Sequence, residues 1–115
     1  VTTDGSRIHI DPLWKKNKYM YSLETKSTVF KQKQLICGYT CMDHDRLMVL
    51  KDQRELQTGD RIVYHRVGAY SVTFGGMFIR YFPDVYVKHD NTIEKVREHI
   101  SVDNYLKIQS KLYEV

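Results

Sequence analysis

Polar and apolar residues alternate, or apolar residues form short runs, along most of the first ninety positions. A period of two is typical of strands with one buried face, and glycine, proline and aspartate interrupt the pattern about every ten residues. The sequence therefore predicts short strands at residues 6–10, 19–23, 28–37, 47–50, 61–65, 70–74 and 84–88. Many short strands separated by turns are typical of a β-barrel or a sandwich.

The pattern changes over residues 91–115. Asn91 is a suitable N-cap for a helix starting at Thr92, and Ser101 is suitable for a second helix. The first helix would bury residues at helical spacing, and so would the second. These residues are Ile93, Val96 and Ile100 in the first helix, and Val102, Tyr105, Leu106 and Leu112 in the second.

We expect an all-β, Greek-key-like barrel of six to eight short strands over residues 1–90, with a helical tail over 91–115 that packs on it. The chain has 115 residues, 42% of them hydrophobic, which suits one domain with a real core. No apolar run approaches the roughly 18 residues that a membrane span needs, so we expect no membrane partner. The first five residues are typical of the interior of a longer protein.

The chain has two cysteines, Cys37 and Cys41, too few for the disulfide framework of a small secreted domain. We expect both to be reduced thiols in a cytoplasmic protein. Their spacing resembles half of a zinc site, which stays open as an alternative. The chain has no second cysteine pair to complete such a site, and His44 and His65 do not have the spacing of zinc ligands.

Two segments carry the functional signal: GYTCMDHDRL at residues 38–47, and ELQTGD at 55–60 followed by VGAY at 67–70. In order and spacing they resemble the C-terminal signature of the fold-type III decarboxylases, which act on ornithine, diaminopimelate, arginine or carboxynorspermidine. That signature runs Gly-Pro-x-Cys, a polar or acidic residue, an Asp, a strand, Leu-x-x-Gly-Asp, a strand and Gly-Ala-Tyr. The resemblance covers residues 38–87 and extends more weakly to residues 4–5 and 12–14.

This resemblance implies the C-terminal β-barrel domain of an amino-acid decarboxylase that uses pyridoxal 5'-phosphate. The full protein would add an N-terminal (β/α)8 barrel carrying the lysine that binds the cofactor. It would form a homodimer whose two equal active sites each use residues of both chains. The present chain, without that lysine, would be inactive alone.

Two residues match catalytic or cofactor-binding positions of the family. Cys41 matches the cysteine that protonates the substrate carbon in the partner chain's site, a role that suits a titratable thiol. Tyr70 matches the tyrosine whose hydroxyl holds the cofactor phosphate. The alternatives are a small buried hydrophobe for Cys41 and an ordinary strand tyrosine for Tyr70. Cys37 lies in an apolar run and is expected to be structural.

The chain departs from the family where the substrate's distal group would bind. Met42 replaces a residue that is usually acidic, and Asp43 substitutes for it only if the loop shifts. Trp14 stands for the usual tyrosine, and Lys15 places a cation where some relatives have an aspartate. A cation favours a carboxylate over a diamine-forming substrate. We therefore expect a substrate with an acidic or apolar distal group, with Lys15 or Arg80 as the anion contact.

Two other functions stay open. Met42 in place of an acid favours an inactive decarboxylase relative that acts as a regulatory or interaction protein. The net charge of +4 and the nine tyrosines allow a barrel that binds single-stranded nucleic acid, but these tyrosines alternate with apolar strand residues, so we expect no nucleic-acid partner. His44 is expected in a turn, and Asp45 with Arg46 is expected to form a weak pair at the surface or at the start of a strand.

Overall fold

The structure is a computed structural model that describes residues 1–111 of the chain. It contains six strands in three two-stranded antiparallel sheets, together with three short helices. The mostly β character expected from the sequence is confirmed, whereas the closed barrel stays a prediction because the described strands form three separate sheets. The chain divides into two compact units, Val1–Gly75 and Gly76–Val115.

The first unit contains two helices of one turn and two antiparallel strand pairs. Strand β1 pairs with β4, with Ser22 opposite Val63, and β2 pairs with β3, with Leu35 opposite Val49. A register shift lies between Ile36 and Cys37, where β2 ends. The elements are α1 (Arg7–Ile10), β1 (Met20–Glu24), β2 (Phe30–Cys37), β3 (Arg46–Arg54), β4 (Arg61–His65) and α2 (Ser71–Phe74).

The core of this unit forms where one face of β2–β3 meets alternate side chains of β1 and β4. Ile36, Leu47 and Leu50 are almost completely buried at its centre. Burial in β4 follows the period of two, because Ile62 and Tyr64 contact the core while Arg61, Val63 and His65 are exposed. The other partly buried residues against the core are Ile10, Tyr21, Leu23, Met48 and Leu56.

The second unit contains a hairpin of β5 (Val85–His89) and β6 (Thr92–Arg97), followed by α3 (Val102–Lys111). Asp90 turns the chain with a φ of 51°, a left-handed conformation that aspartate adopts more readily than most residues. Tyr105 of α3 stacks on Tyr81 with ring centroids 4.8 Å apart. No helix within residues 1–111 combines the length and the hydropathy that crossing a membrane requires.

Five predicted strands are confirmed, at 19–23, 28–37, 47–50, 61–65 and 84–88. The strand predicted at 6–10 is wrong: α1 forms there, because the Ser6 Oγ accepts the Ile8 N–H at 3.3 Å and caps a helical turn. The strand predicted at 70–74 is also wrong, and α2 replaces it.

The helix predicted from Thr92 is wrong, because residues 92–97 pair with β5 as strand β6. The second helix is confirmed, and Ser101 Oγ accepts the N–H of Asn104 at 3.2 Å as its cap. Its expected buried side is wrong for Val102 and Leu106, which are more than half exposed. Leu112 lies outside the described residues.

Burial along β3 gives a matched test of this core. Leu50 is 1% exposed and its neighbour Val49 is 43% exposed. Leu50→Ala should lower the free energy of unfolding by about 2–5 kcal/mol, because it leaves a cavity, and Val49→Ala by less than about 1 kcal/mol. Urea denaturation of the two variants measures both values. An equal loss of unfolding free energy in Leu50→Ala and Val49→Ala would contradict the position of the core on the Leu50 face of β3.

Candidate functional site

The loop between β2 and β3 carries Cys41 and is closed by backbone hydrogen bonds. The Gly38 N–H donates to the Asp45 carbonyl at 2.8 Å, and the Asp45 N–H donates to the Met42 carbonyl at 3.0 Å. Cys41 has a φ of 61° and an exposed side chain. Its thiol makes a weak contact of 3.7 Å with the Tyr39 carbonyl. The sulfur therefore lies at the surface of the unit and outside its core.

The carboxylate of Asp45 holds this loop from beneath. It is only 2% exposed and accepts four hydrogen bonds from neutral donors. The hydroxyls of Ser6 and Thr40 donate at 2.9 and 2.6 Å, and the backbone N–H groups of Arg7 and Thr40 at 2.9 and 3.2 Å. One carboxylate thus joins the loop of Cys41 to the first turn of α1.

The hydrogen bonds also decide the charge of this carboxyl. Burial by itself raises its pKa, but the bonds from Thr40, the Arg7 backbone and Ser6 outweigh burial and lower the pKa below the ordinary value of 3.8. Asp45 is therefore ionised at neutral pH. A buried carboxylate without these donors would be costly, so the donors and the charge depend on each other.

Gly38 is required by the same arrangement. A Cβ atom built on Gly38 would overlap the carboxyl group of Asp45. The glycine thus permits close approach of the carboxylate to the backbone at the start of the loop. At Gly68, by contrast, an added Cβ would meet no atom within 4 Å, so the chain itself does not require that glycine.

Trp14 packs against the Cys41 loop. Its ring lies 4.5 Å from the ring of His44, centroid to centroid, in an edge-on arrangement, and the Arg7 guanidinium lies 4.9 Å from its centroid. The buried Asp11 positions the Trp14 backbone. The Asp11 carbonyl accepts the Trp14 N–H, and the Asp11 carboxylate accepts the N–H of Lys15 at 3.2 Å. The side chain of Lys15 is exposed.

Tyr70 lies at the start of α2 with a φ of 67° and is 65% exposed. Its ring meets Phe74 edge-on at 6.2 Å. Helix α2 packs against α1, and α1 is joined to the Cys41 loop by Asp45 and by the contact of Tyr39 with His9. Tyr70 and the loop therefore both border α1.

The structure places the predicted site residues in three locations. Cys41 and Asp43 are exposed in the β2–β3 loop, and Trp14 packs on that loop next to Lys15. Tyr70 borders α1 from α2. Arg80 is exposed in the other unit, Gly76–Val115. Both cysteines are free, Cys37 being half-buried in β2.

Sequence reasoning missed the residue that organises the loop. The expected weak pair of Asp45 with Arg46 is wrong, because Asp45 is buried and bonds to Ser6 and Thr40 instead. A usable signal was present in the Asp that the decarboxylase signature places just before the strand. It identifies the position but gives no indication that the carboxylate is buried.

No protein-family model matches the chain, and no curated protein matches its sequence. Within residues 1–111, no three or more His, Cys, Asp or Glu side chains are grouped to hold a metal ion. A function must therefore be argued from the geometry of the loop and from the sequence resemblance.

Asp45→Asn should lower the free energy of unfolding at pH 7 by about 2–3 kcal/mol, since an amide cannot accept four charge-assisted bonds. Asp43→Asn is the matched control in the same loop and should change it by less than about 0.5 kcal/mol, because Asp43 is exposed. Urea denaturation gives both values.

The pH dependence of the effect of Asp45→Asn tests whether Asp45 is charged. A lowered pKa in the folded state means that Asp45 stabilises fully above its unfolded pKa and loses this effect as the pH falls through the folded value. The difference between wild type and Asp45→Asn should therefore be constant near neutrality, begin to shrink as the pH approaches 3.8, and continue to shrink as the pH falls through the lower folded value. Comparison at each pH cancels the other carboxylates. A difference that grows on acidification would contradict the ionised state.

Proposed function

We propose that the chain is the C-terminal domain of a pyridoxal-phosphate-dependent amino-acid decarboxylase of the fold-type III group. A (β/α)8 barrel domain would complete it, and its strands would belong to the family's Greek-key-like barrel. The observation that carries the proposal is an exposed thiol, Cys41, on a loop whose base is fixed by a buried carboxylate. The matched segments at 38–47 and 67–70 support the same assignment.

A thiol that protonates a carbon in another chain must be accessible and held in place. Cys41 is exposed, and Asp45 fixes the residues on both sides of it, because its carboxylate accepts from Thr40 and its N–H donates to the Met42 carbonyl. Such preorganisation lowers the entropy lost when the reacting groups meet. The proposed homodimer would bring Cys41 into the partner's site, in a compartment that keeps thiols reduced, such as the cytoplasm.

Tyr70 fits the cofactor role. Its hydroxyl belongs to a largely exposed side chain and has no hydrogen-bond partner within residues 1–111, so it is free to donate to a phosphate oxygen. When bound, pyridoxal phosphate supplies an electron sink for the electrons left as carbon dioxide departs. Tyr70 would hold its phosphate and Cys41 would deliver the proton, whereas the cofactor lysine would belong to the barrel domain.

The proposed substrate is an amino acid with an acidic or apolar distal group. Met42 offers no acceptor for a distal ammonium group, and Asp43 next to it is exposed at the loop surface. Trp14 forms a wall beside the loop, with the exposed cation of Lys15 adjoining it. A carboxylate at the distal end of the substrate would be attracted to Lys15. Arg80 stays a sequence prediction for the same role.

A second function is favoured by the same departure. Met42 is half-buried where the family has an acid, which suits a decarboxylase relative that has lost activity and serves regulation or interaction. This alternative retains the fold and the Asp45 bonds. It differs in requiring no cofactor, so cofactor binding discriminates between the two.

Cys41→Ala is the direct test, made in the protein that joins this chain to its barrel domain. Loss of the proton donor should lower kcat by about 10²–10⁴ while cofactor absorbance is retained, because a general acid typically contributes that much. Cys37→Ala, half-buried in β2, is the control and should leave kcat unchanged. Turnover by Cys41→Ala equal to wild type would remove Cys41 from the mechanism, and a protein that binds no pyridoxal phosphate would favour the inactive relative.

Tyr70→Phe should weaken pyridoxal phosphate binding about tenfold, since it deletes one hydrogen bond to a charged group. Titration of the apoprotein of that same full-length protein, followed by cofactor absorbance, measures the change. Tyr86→Phe alters another exposed tyrosine and serves as the control. An unchanged affinity in Tyr70→Phe would exclude the phosphate contact.

A further inference from the structure

A cleft in the unit Val1–Gly75 lies between the segment leading into β1 and the β2–β3 sheet. Its volume is about 740 Å³, within the range of small-molecule sites. Five cationic side chains line it, and no Asp or Glu side chain does. We call it the cationic cleft; its cations are Arg7, Lys16, Lys18, Arg46 and Lys51.

Most of this charge is not neutralised by the protein. Arg7 pairs with Asp11 at 2.8 Å. The other four cations have no carboxylate within 4.0 Å in the described part of the chain. Elsewhere in the same unit, Lys31 pairs with Glu55 at 3.2 Å. The cleft therefore brings together four cations that have no carboxylate partner among the described residues.

The strand register adds an independent observation. Lys51 lies directly opposite Lys33 in the β2–β3 ladder, and both are exposed. Like charges facing each other across strands destabilise a sheet. The next pair on the same face, Leu35 and Val49, provides an apolar floor. An anion bound here would relieve the repulsion that the fold alone leaves uncompensated.

We propose that the cationic cleft binds a small polyanion with three or more negative charges, phosphate or carboxylate. Lysine ammonium groups act as point charges and bind either phosphate or carboxylate groups. A concave site of this size fits a small molecule. Its aromatic lining residues are Tyr19, which is buried and donates its hydroxyl to Asp11, and the half-buried Tyr21, so it lacks the row of exposed rings that single-stranded nucleic acid uses. The inference does not depend on Cys41 or Tyr70, and so stands apart from the proposed function.

The test is a ¹H–¹⁵N NMR titration of the 115-residue chain at low ionic strength, with tripolyphosphate and, separately, citrate as probes. Saturable shifts should concentrate at the amides of Lys16, Lys18, Arg46 and Lys51. The tighter of the two probes distinguishes phosphate from carboxylate chemistry. Lys51→Ala should weaken binding at least about fivefold, and Arg46→Gln by a similar factor.

Lys88→Ala is the control, because it removes the same charge from an exposed strand position of β5. It should leave the affinity within about twofold, as expected of a surface residue away from the site. Shifts spread evenly over all lysines, or a Lys51→Ala variant that binds like Lys88→Ala, would overturn the site. Tighter binding of an oligonucleotide or of an acidic peptide at the same amides would overturn the choice of a small ligand.

Discussion

The first unit depends on one buried charge, the carboxylate of Asp45. It accepts hydrogen bonds from Arg7, which lies 38 residues earlier at the start of α1, and from Thr40 in the β2–β3 loop, and so joins the two segments. Each donor is satisfied by the carboxylate, and the carboxylate remains charged because of the donors. Removing the Asp45 carboxylate or one of its donors therefore leaves a buried polar group without its hydrogen-bond partner. The two segments that Asp45 joins in turn position other parts of the unit. Helix α2 packs on α1, and Trp14 packs on His44 of the β2–β3 loop.

This constraint links fold to chemistry in the proposed decarboxylase. The residues that flank Cys41 are fixed from within the unit, while the thiol itself remains at the surface. A group that acts on a substrate held by another chain needs both properties. The cationic cleft shares Arg7 with this junction, but Lys51 of the cleft lies on β3 outside the loop, so a Lys51 variant tests the cleft separately.

Short-range patterns predicted the strands whose buried residues follow a regular period. Strand β4 was predicted with its observed limits, because the turn at residues 58–60 precedes a short run of β-forming residues, of which Ile62 and Tyr64 contact the core. Residues 6–10 also alternate, yet they form α1, because Ser6 caps the turn and Asp45 accepts the Arg7 N–H, a distant contact that no local pattern reveals. Ile93 and Val96 have helical spacing, but pairing with β5 outweighs it. The resemblance identified Cys41 and Tyr70, whereas the burial of Asp45 depends on contacts between distant segments and emerged only from the structure.

Asp45 is ionised within the folded unit and holds the loop by its charge. Carbon-detected NMR titration of the Asp45 side-chain carboxyl in the folded chain measures this charge state. We expect this carboxyl to titrate below 3.8, with the amide resonances of Arg7 and Thr40 shifting at the same pH. A carboxyl that titrates above 3.8, or whose protonation leaves those two amides unmoved, would contradict the role of this charge.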